Sequence, residues 1–303
     1  MILRNFFLYL SQQATLRRFM ETSSAAKPLT RRFIAGETLE AELDVVASLA
    51  ALGIDSAMDH LGENVTQIED ATKSVQAYLE ALEQIGQRKA PATVSLKLTQ
   101  LGLDLSNAEC LANLRSVAQR AKAIGTRVEI DMESSVYTQH ALDIVKTVFK
   151  EYGNLRCVIQ AYLFRSEADI AWINQIGMPV RLCKGAYNES PKIAIPDKDK
   201  VDDNYIRLMH LLLDHGHDPA IATHDERMIE EAKRYAIKQG ITKNKFEFQM
   251  LHGIRRDLQQ SLMKDGYRVR VYVPYGAAWY PYFMRRLAER PANLWFVLKS
   301  LLR

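Results

Sequence analysis

Lys97 stands in the run Ser-Leu-Lys-Leu-Thr, where it alternates with leucine. On an extended strand it therefore faces away from both leucines. A lysine so placed can act as a Schiff-base nucleophile, anchor an anionic substrate, or simply end a strand in solvent. Asp131, in Ile-Asp-Met-Glu, is an acid among apolar neighbours, suited to a general base, a metal ligand or a buried partner of Lys97. Arg181 and Lys184, in Val-Arg-Leu-Cys-Lys-Gly-Ala-Tyr, set two cations about one strand end with Gly185 next. Such a pair suits a phosphate or an electron-rich ring, or else a salt-bridge network with Asp131. His224, after Ile-Ala-Thr, can carry a proton, bind a metal or stack its ring. Near the C-terminus Tyr282 precedes Arg285 and Arg286 by three and four residues, and Glu289 follows them. One helical face then carries a ring, two guanidiniums and a carboxylate. Adjacent guanidiniums match the two oxygens of a substrate carboxylate; a solvated basic face is the plainer alternative. His215 and His217 flank Gly216 with no third ligand at a metal-site spacing, so no metal is expected.

These residues need elements to position them. Runs rich in Val, Ile and Leu predict strands over 53–58, 93–98, 127–132, 155–163, 179–183, 219–223, 246–251 and 268–273. Segments of helical period follow at 107–124, 136–152, 167–176, 202–213, 227–239 and 256–264. Gly125, Gly153, Gly177, Gly216, Gly240 and Gly266 fall just past helical patterns, where a C-cap calls for positive φ. Eight strands alternating with helices predict an α/β (βα)8 TIM-type barrel, with an open doubly wound sheet as the alternative. Residues 1–52 read as a helical segment packed on the barrel, including a helix over 39–49; residues 53–303 read as the catalytic barrel with C-terminal helices, one structural domain in all.

In such a barrel the chemistry gathers where strands end. The polar residues there are Asp59, His60, Lys97, Asp131, Glu133, Gln160, Arg181, Lys184, Thr223, His224, Asp225, Gln249, His252, Tyr272 and Tyr275. Strands covered on both faces should be apolar throughout, so polar side chains inside them must be paired or functional.

Composition narrows the field. The 303 residues carry 40 Lys+Arg against 36 Asp+Glu, a net charge of +4 that is too weak to argue for nucleic acid. The closest pair of the 14 glycines is Gly177 and Gly185. Neither a G-x-G-x-x-G nor a P-loop fingerprint can therefore be present. Three cysteines without a C-x-x-C pair favour a reducing compartment. Residues 1–20 hold Arg4, Arg17 and Arg18 and no acid, which fits a basic amphipathic first helix better than a targeting peptide. No apolar stretch is long enough to span a bilayer.

Val-Ser-Leu-Lys-Leu, Ile-Asp-Met-Glu, Ile-Gln-Ala-Tyr-Leu, Arg-Leu-Cys-Lys-Gly-Ala-Tyr, Ala-Thr-His-Asp, Phe-Gln-Met-Leu-His-Gly and Tyr-Phe-Met-Arg-Arg occur here in that order. Together, over about residues 57–293, they resemble the proline dehydrogenase family. The start, Arg-Asn-Phe-Phe-Leu-Tyr-Leu-Ser, looks like its small single-function bacterial form. The resemblance implies a distorted barrel with extra N-terminal helices and a final helix over the mouth. It implies FAD across that mouth, oxidation of L-proline to 1-pyrroline-5-carboxylate by hydride transfer, and electrons passed to a membrane quinone. This is the first step of proline degradation to glutamate, with a separate 1-pyrroline-5-carboxylate dehydrogenase downstream.

Residue by residue, Lys97, Arg285 and Arg286 match the cations that hold the proline carboxylate, and Asp131 the acid beside Lys97. Tyr272, Tyr282 and Leu251 match the residues packed over the pyrrolidine ring. Arg181 matches the cation beside the reactive flavin nitrogen, and Gln160 the group at its pyrimidine edge. Met132, Lys184, Gly185, Ala186, Thr223 and His224 match further flavin contacts. The departures are Cys183 in place of an aliphatic residue and His252 in place of an aromatic one. The resemblance also implies a cytoplasmic protein with peripheral contact at the inner face of a bacterial membrane. Residues 5–19 and 294–302 are apolar enough to dock there, or to pack on the barrel. Glu63 matches an acid that pairs with the first arginine, so Glu63 and Arg285 are expected to form a gate that closes over proline. Substituting Glu63→Ala should then raise the KM for proline, and an unchanged KM in steady-state assays rejects the gate.

Overall fold

The computed structural model describes Gln13 and residues 33–62 and 65–289. Eight parallel strands close into a barrel in strict sequence order. Helix α1 (Leu39–Ala50) precedes β1 (Asp55–His60), and α2 (Ile68–Arg88) leads on to β2 (Ala92–Leu96). A 3₁₀ turn (Leu98–Leu101) and α3 (Asn107–Ala123) reach β3 (Val128–Ile130); α4 (Ser135–Tyr152) reaches β4 (Leu155–Gln160). The alternation continues through α5 (Ser166–Gln175), β5 (Val180–Cys183), α6 (Lys198–His215), β6 (Ala220–Ala222) and α7 (Glu226–Lys238). It ends with β7 (Glu247–Leu251), α8 (Arg256–Lys264), β8 (Arg268–Tyr275) and α9 (Tyr280–Glu289).

All eight predicted strands are present, with shifted ends. Asp59 and His60 lie inside β1, whereas the fourth run stops at Gln160 and turns. The sheet is closed, so the open doubly wound alternative does not apply. Helix α2 was absent from the sequence reading. Its buried face is nonetheless helical in period, with Ala71, Val75, Tyr78, Leu82 and Ile85 on one stripe. Gly125, Gly153, Gly177, Gly240 and Gly266 do adopt φ between +67 and +84. Gly216 does not: its φ is −80. It is needed for room, since a Cβ there would lie 2.4 Å from the Leu212 carbonyl oxygen.

Two kinds of interior result. The outward side chains Val94, Leu96, Ile130, Ile159, Leu182, Ile221, Phe248 and Val271 are buried against the helices and make the apolar core. Each contributes about 1.5–3 kcal/mol by leaving water. The inward side chains are largely charged, and small residues make room for them. Ala220 pairs with Arg181, and Ala222 with Gln249.

Strand β1 pairs with β8 to close the wall, and α1 covers that seam. Helix α1 is capped by Thr38, whose Oγ1 accepts from Ala41 N–H at 3.3 Å, and packs on β1 and β8. Ahead of it, Ala35 N–H donates to the Pro274 carbonyl, and Gly276 N–H to that of Gly36, both at 2.9 Å. Phe283 of α9 meets Phe33 and Trp279 with ring centroids 6.0 Å apart.

Glu42 on α1 is fully buried, and its two carboxyl oxygens have no hydrogen-bond partner among the described residues. Burial, and then the Asp59 charge, push its carboxyl well above the usual carboxylate range. A raised folded-state pKa means that this group favours folding at low pH and loses that contribution as pH rises through the folded value. Glu42→Gln, which cannot ionise, should therefore raise the melting temperature by more at pH 8 than at pH 5. Equal shifts at the two pH values in thermal unfolding would refute the buried protonated acid.

Candidate active site

At the C-terminal mouth the strand ends converge on Asp131. It accepts hydrogen bonds from Ser95 Oγ at 3.0 Å and Tyr272 OH at 2.8 Å, and it pairs closely with the Arg181 guanidinium. Lys97 Nζ lies 3.5 Å from its other side and 3.7 Å from Asp59 Oδ1. Burial alone would raise the Asp131 carboxyl. The charges of Arg181 and Lys97, with the Tyr272 and Ser95 hydrogen bonds, instead bring it below the usual range. Asp131 is thus ionised and fully engaged. Of the roles open to it, the geometry provides the buried partner of Lys97, shared with Arg181.

The end of β2 is held locally. Gln100 Oε1 accepts from Lys97 N–H and Tyr78 OH, both at 3.1 Å, while Gln100 Nε2 donates to the His60 carbonyl at 2.6 Å. Arg181 is 5% exposed. Its guanidinium carbon lies 5.4 Å from the Tyr272 ring centroid, and its nitrogens reach Ser95 Oγ at 3.0 Å and Gln249 Oε1 at 3.2 Å. Burial works against its charge, but the Asp131 and Glu129 carboxylates outweigh that and raise its pKa.

Gln160, at the end of β4, donates Nε2 to the Met132 and Glu133 carbonyls at 2.7 and 3.0 Å. Its Oε1 is buried with no partner among the described residues, which leaves an unused acceptor at the mouth. Gly185 has φ +107, and a Cβ there would lie 2.2 Å from the Tyr162 ring. Only glycine keeps the backbone this close, with Ala186 exposed beside it. Lys184 does not join Asp131. It pairs with Asp202 at 2.5 Å and Asp225 at 3.1 Å. Thr223 Oγ1 accepts from Asp225 N–H at 3.1 Å. His224 Nε2 accepts from Leu251 N–H at 2.8 Å, so its ring is neutral with the proton on Nδ1. Tyr282 is buried on α9, near enough to Tyr272 to raise that phenol's pKa further. The backbones of Arg285 and Arg286 lie on the same helix, and their side chains are outside the described residues. Glu63, and with it the gate, also falls outside them, as do residues 5–12, 14–19 and 294–302.

The sequence reading missed what lies beneath. Arg156, with no exposed surface, bridges Glu129 at 3.2 Å, Asp218 at 2.9 Å and, more closely still, Glu247. Arg270 Nε joins Glu247 Oε1 at 3.0 Å, and its Nη2 joins Asp55 at 2.9 Å. The signal was present in the strand period: Glu129, Glu247 and Arg270 stand two residues before Asp131, Gln249 and Tyr272, and so share their inward face.

The proline dehydrogenase family profile matches residues 43–299. The chain belongs to the proline dehydrogenase family. It is 41% identical over 301 residues to proline dehydrogenase 2 of Bacillus subtilis, covering 99% of both chains. It is 40% identical over 280 residues to proline dehydrogenase of Deinococcus radiodurans, covering 91% of this chain and 90% of that one. Among solved structures, the proline utilization A protein of Bdellovibrio bacteriovorus inactivated by N-propargylglycine superposes with a TM-score of 0.81 at 26% identity. That match covers 87% of this chain and 33% of the longer protein. The family assignment makes the chain a proline dehydrogenase, and in barrel enzymes catalytic residues gather at the C-terminal mouth.

Removing Arg156 takes the shared cation from Glu129, Glu247 and Asp218 and leaves Arg181, Arg270 and Arg268 to compensate them, so Arg156→Met should cost about 3–5 kcal/mol of stability. Denaturant unfolding checks this, and a loss below about 1 kcal/mol would show that the bridge is dispensable.

Proposed function

We propose that this chain oxidises L-proline to 1-pyrroline-5-carboxylate with FAD bound across the barrel mouth. The observation that carries the reading is a buried, charged Arg181 at that mouth, together with the unused acceptor on Gln160. The residues fit the cofactor: Gln160 Oε1 can accept from the N–H of the pyrimidine edge, and Gly185 grants close backbone approach. Met132, Lys184, Ala186, Thr223 and His224 complete the set that would hold it. FAD, when bound, accepts a hydride from the ring carbon next to the proline nitrogen.

The protein's own part is orientation and charge. Lys97, steadied by Asp59 and Asp131, offers an ammonium to the substrate carboxylate. Arg285 and Arg286, one turn beyond Tyr282, add the two guanidiniums of the clamp. Tyr272, Tyr282 and Leu251 exclude water from the apolar ring and restrict its pose. Arg181 supplies fixed positive charge where negative charge develops, with no reorganisation needed at the moment of reaction. Lys97 is held between two carboxylates, a setting that suits an anchor for an anion better than a Schiff-base nucleophile.

Electrons then pass to a membrane quinone, and the cyclic imine product goes to a separate dehydrogenase. Such an acceptor suits a cytoplasmic protein in peripheral contact with the membrane. Among the described residues no helix is long and apolar enough to cross a bilayer.

One absorbance experiment tests the reading. The purified protein should be yellow, with flavin bands that bleach when L-proline is added without oxygen. In Lys97→Met the proline concentration for half-bleaching should rise about tenfold or more, the worth of one charge-assisted contact. A colourless protein, or one trapped by borohydride in the presence of substrate, would reject it.

A further inference from the structure

We propose that Gln249 is a positioning residue for Arg181, and so for the redox chemistry at the mouth; this rests on the flavin reading above. Gln249 is 3% exposed, on β7 between the mouth and the carboxylates beneath it. Its Oε1 accepts from Arg181 Nη1 at 3.2 Å. Its Nε2 donates to Glu247 Oε1 at 2.7 Å and to both oxygens of Glu129, at 3.1 and 3.3 Å. That amide has one workable orientation. Flipped, it would set its NH₂ against a guanidinium and its oxygen against two carboxylates.

The consequence concerns where Arg181 points. Its Nη1 is 3.4 Å from Glu129 Oε2, a carboxylate on the side away from the mouth. Two attractions compete for the guanidinium: Asp131 and Ser95 at the mouth, and Glu129 below. Gln249 occupies the lower approach with a neutral acceptor and spends its donors on Glu129 and Glu247. It thereby keeps Arg181 from sinking into the carboxylates and leaves its charge directed upward. Glu129 in turn is held in place by Arg156 at 3.2 Å and Thr93 at 3.2 Å. The hydrogen bonds of Gln249 go to Arg181, Glu129 and Glu247, so its effect should fall on hydride transfer rather than on proline binding.

Two variants of the FAD-loaded enzyme test this by anaerobic stopped-flow reduction with L-proline. Gln249→Met keeps the volume and removes both hydrogen-bonding functions. Its limiting rate of flavin bleaching should fall about tenfold or more, part of the loss seen when an electrostatic donor is removed outright. The proline concentration for half-maximal rate should change less than about threefold, and the flavin midpoint potential should become more negative. Gln249→Glu separates positioning from mere packing. Protonated, it has the shape and bonding of the amide: a carbonyl for Arg181 and an O–H for Glu129. Among two carboxylates its pKa should be raised, so its rate relative to the wild type should be near normal at low pH and decline as pH rises. This variant decides the question where the Met variant fails to fold. A Met variant that reduces at the wild-type rate and potential, or a Glu variant whose relative rate is flat with pH, overturns the proposal. Wild-type protein that does not bleach at all overturns the flavin reading itself, and is told apart by that.

Discussion

Arg156 has no exposed surface, and neither have Glu129 and Glu247, two of the three carboxylates it joins. Charges in that position cannot borrow water, so each must be neutralised by another charge inside the same barrel. That requirement organises the interior. Arg156, Arg270 and Arg181 bracket Glu129 and Glu247, and every carboxylate oxygen in the set lies against a cation or an amide. Ordinary apolar packing is relegated to the space between strands and helices, where Leu, Ile and Val fill the ring outside the wall. The fold is thus held from outside by the hydrophobic effect and filled from inside by ion pairs. The second arrangement is weak evidence for stability, because desolvation offsets much of the Coulomb gain, but it is intolerant of any missing partner.

The same column of charge builds the site. Its lower members neutralise one another, and its upper members, Arg181, Asp131 and Lys97, lie at the mouth. Asp131 is held between two cations and two hydroxyls, which keeps it ionised and keeps Arg181 and Lys97 at set positions. A cation that is pre-placed and buried need not be desolvated or moved when charge develops beside it, and that is the advantage of setting it in a barrel wall rather than on a loop. Gln160 adds an acceptor already stripped of water.

Much of this was readable from residue order. The eight strands declared themselves because apolar side chains packed on the helices must recur at every second position. Lys97, Asp131, Arg181 and Gln160 stood out because each interrupts such a run near its end. The helix between β1 and β2 is not among the expected segments, although Ala71, Val75, Tyr78, Leu82 and Ile85 recur on one helical face. Gly216 was read as a left-handed cap, whereas its role is to spare the Leu212 carbonyl a clash. Lys184 looked like a second cation for the central cluster, yet Asp202 on the next helix and Asp225 at the N-cap of α7 claim it.

The order of residues alone determined the alternation of strand and helix, the barrel that follows from it and the family to which the chain belongs, because periodicity and local motifs are properties of neighbours in sequence. Which charge meets which was settled only by closure of the barrel. Arg181 reaches Asp131 across 50 residues, and Gln249 reaches Glu129 across 120. Those pairings depend on strand register and on the inward turn of side chains around a closed ring, and no local pattern encodes them. Tertiary structure therefore turned a set of polar interruptions into a single electrostatic assembly, with its lower half neutralised and its upper half available for chemistry.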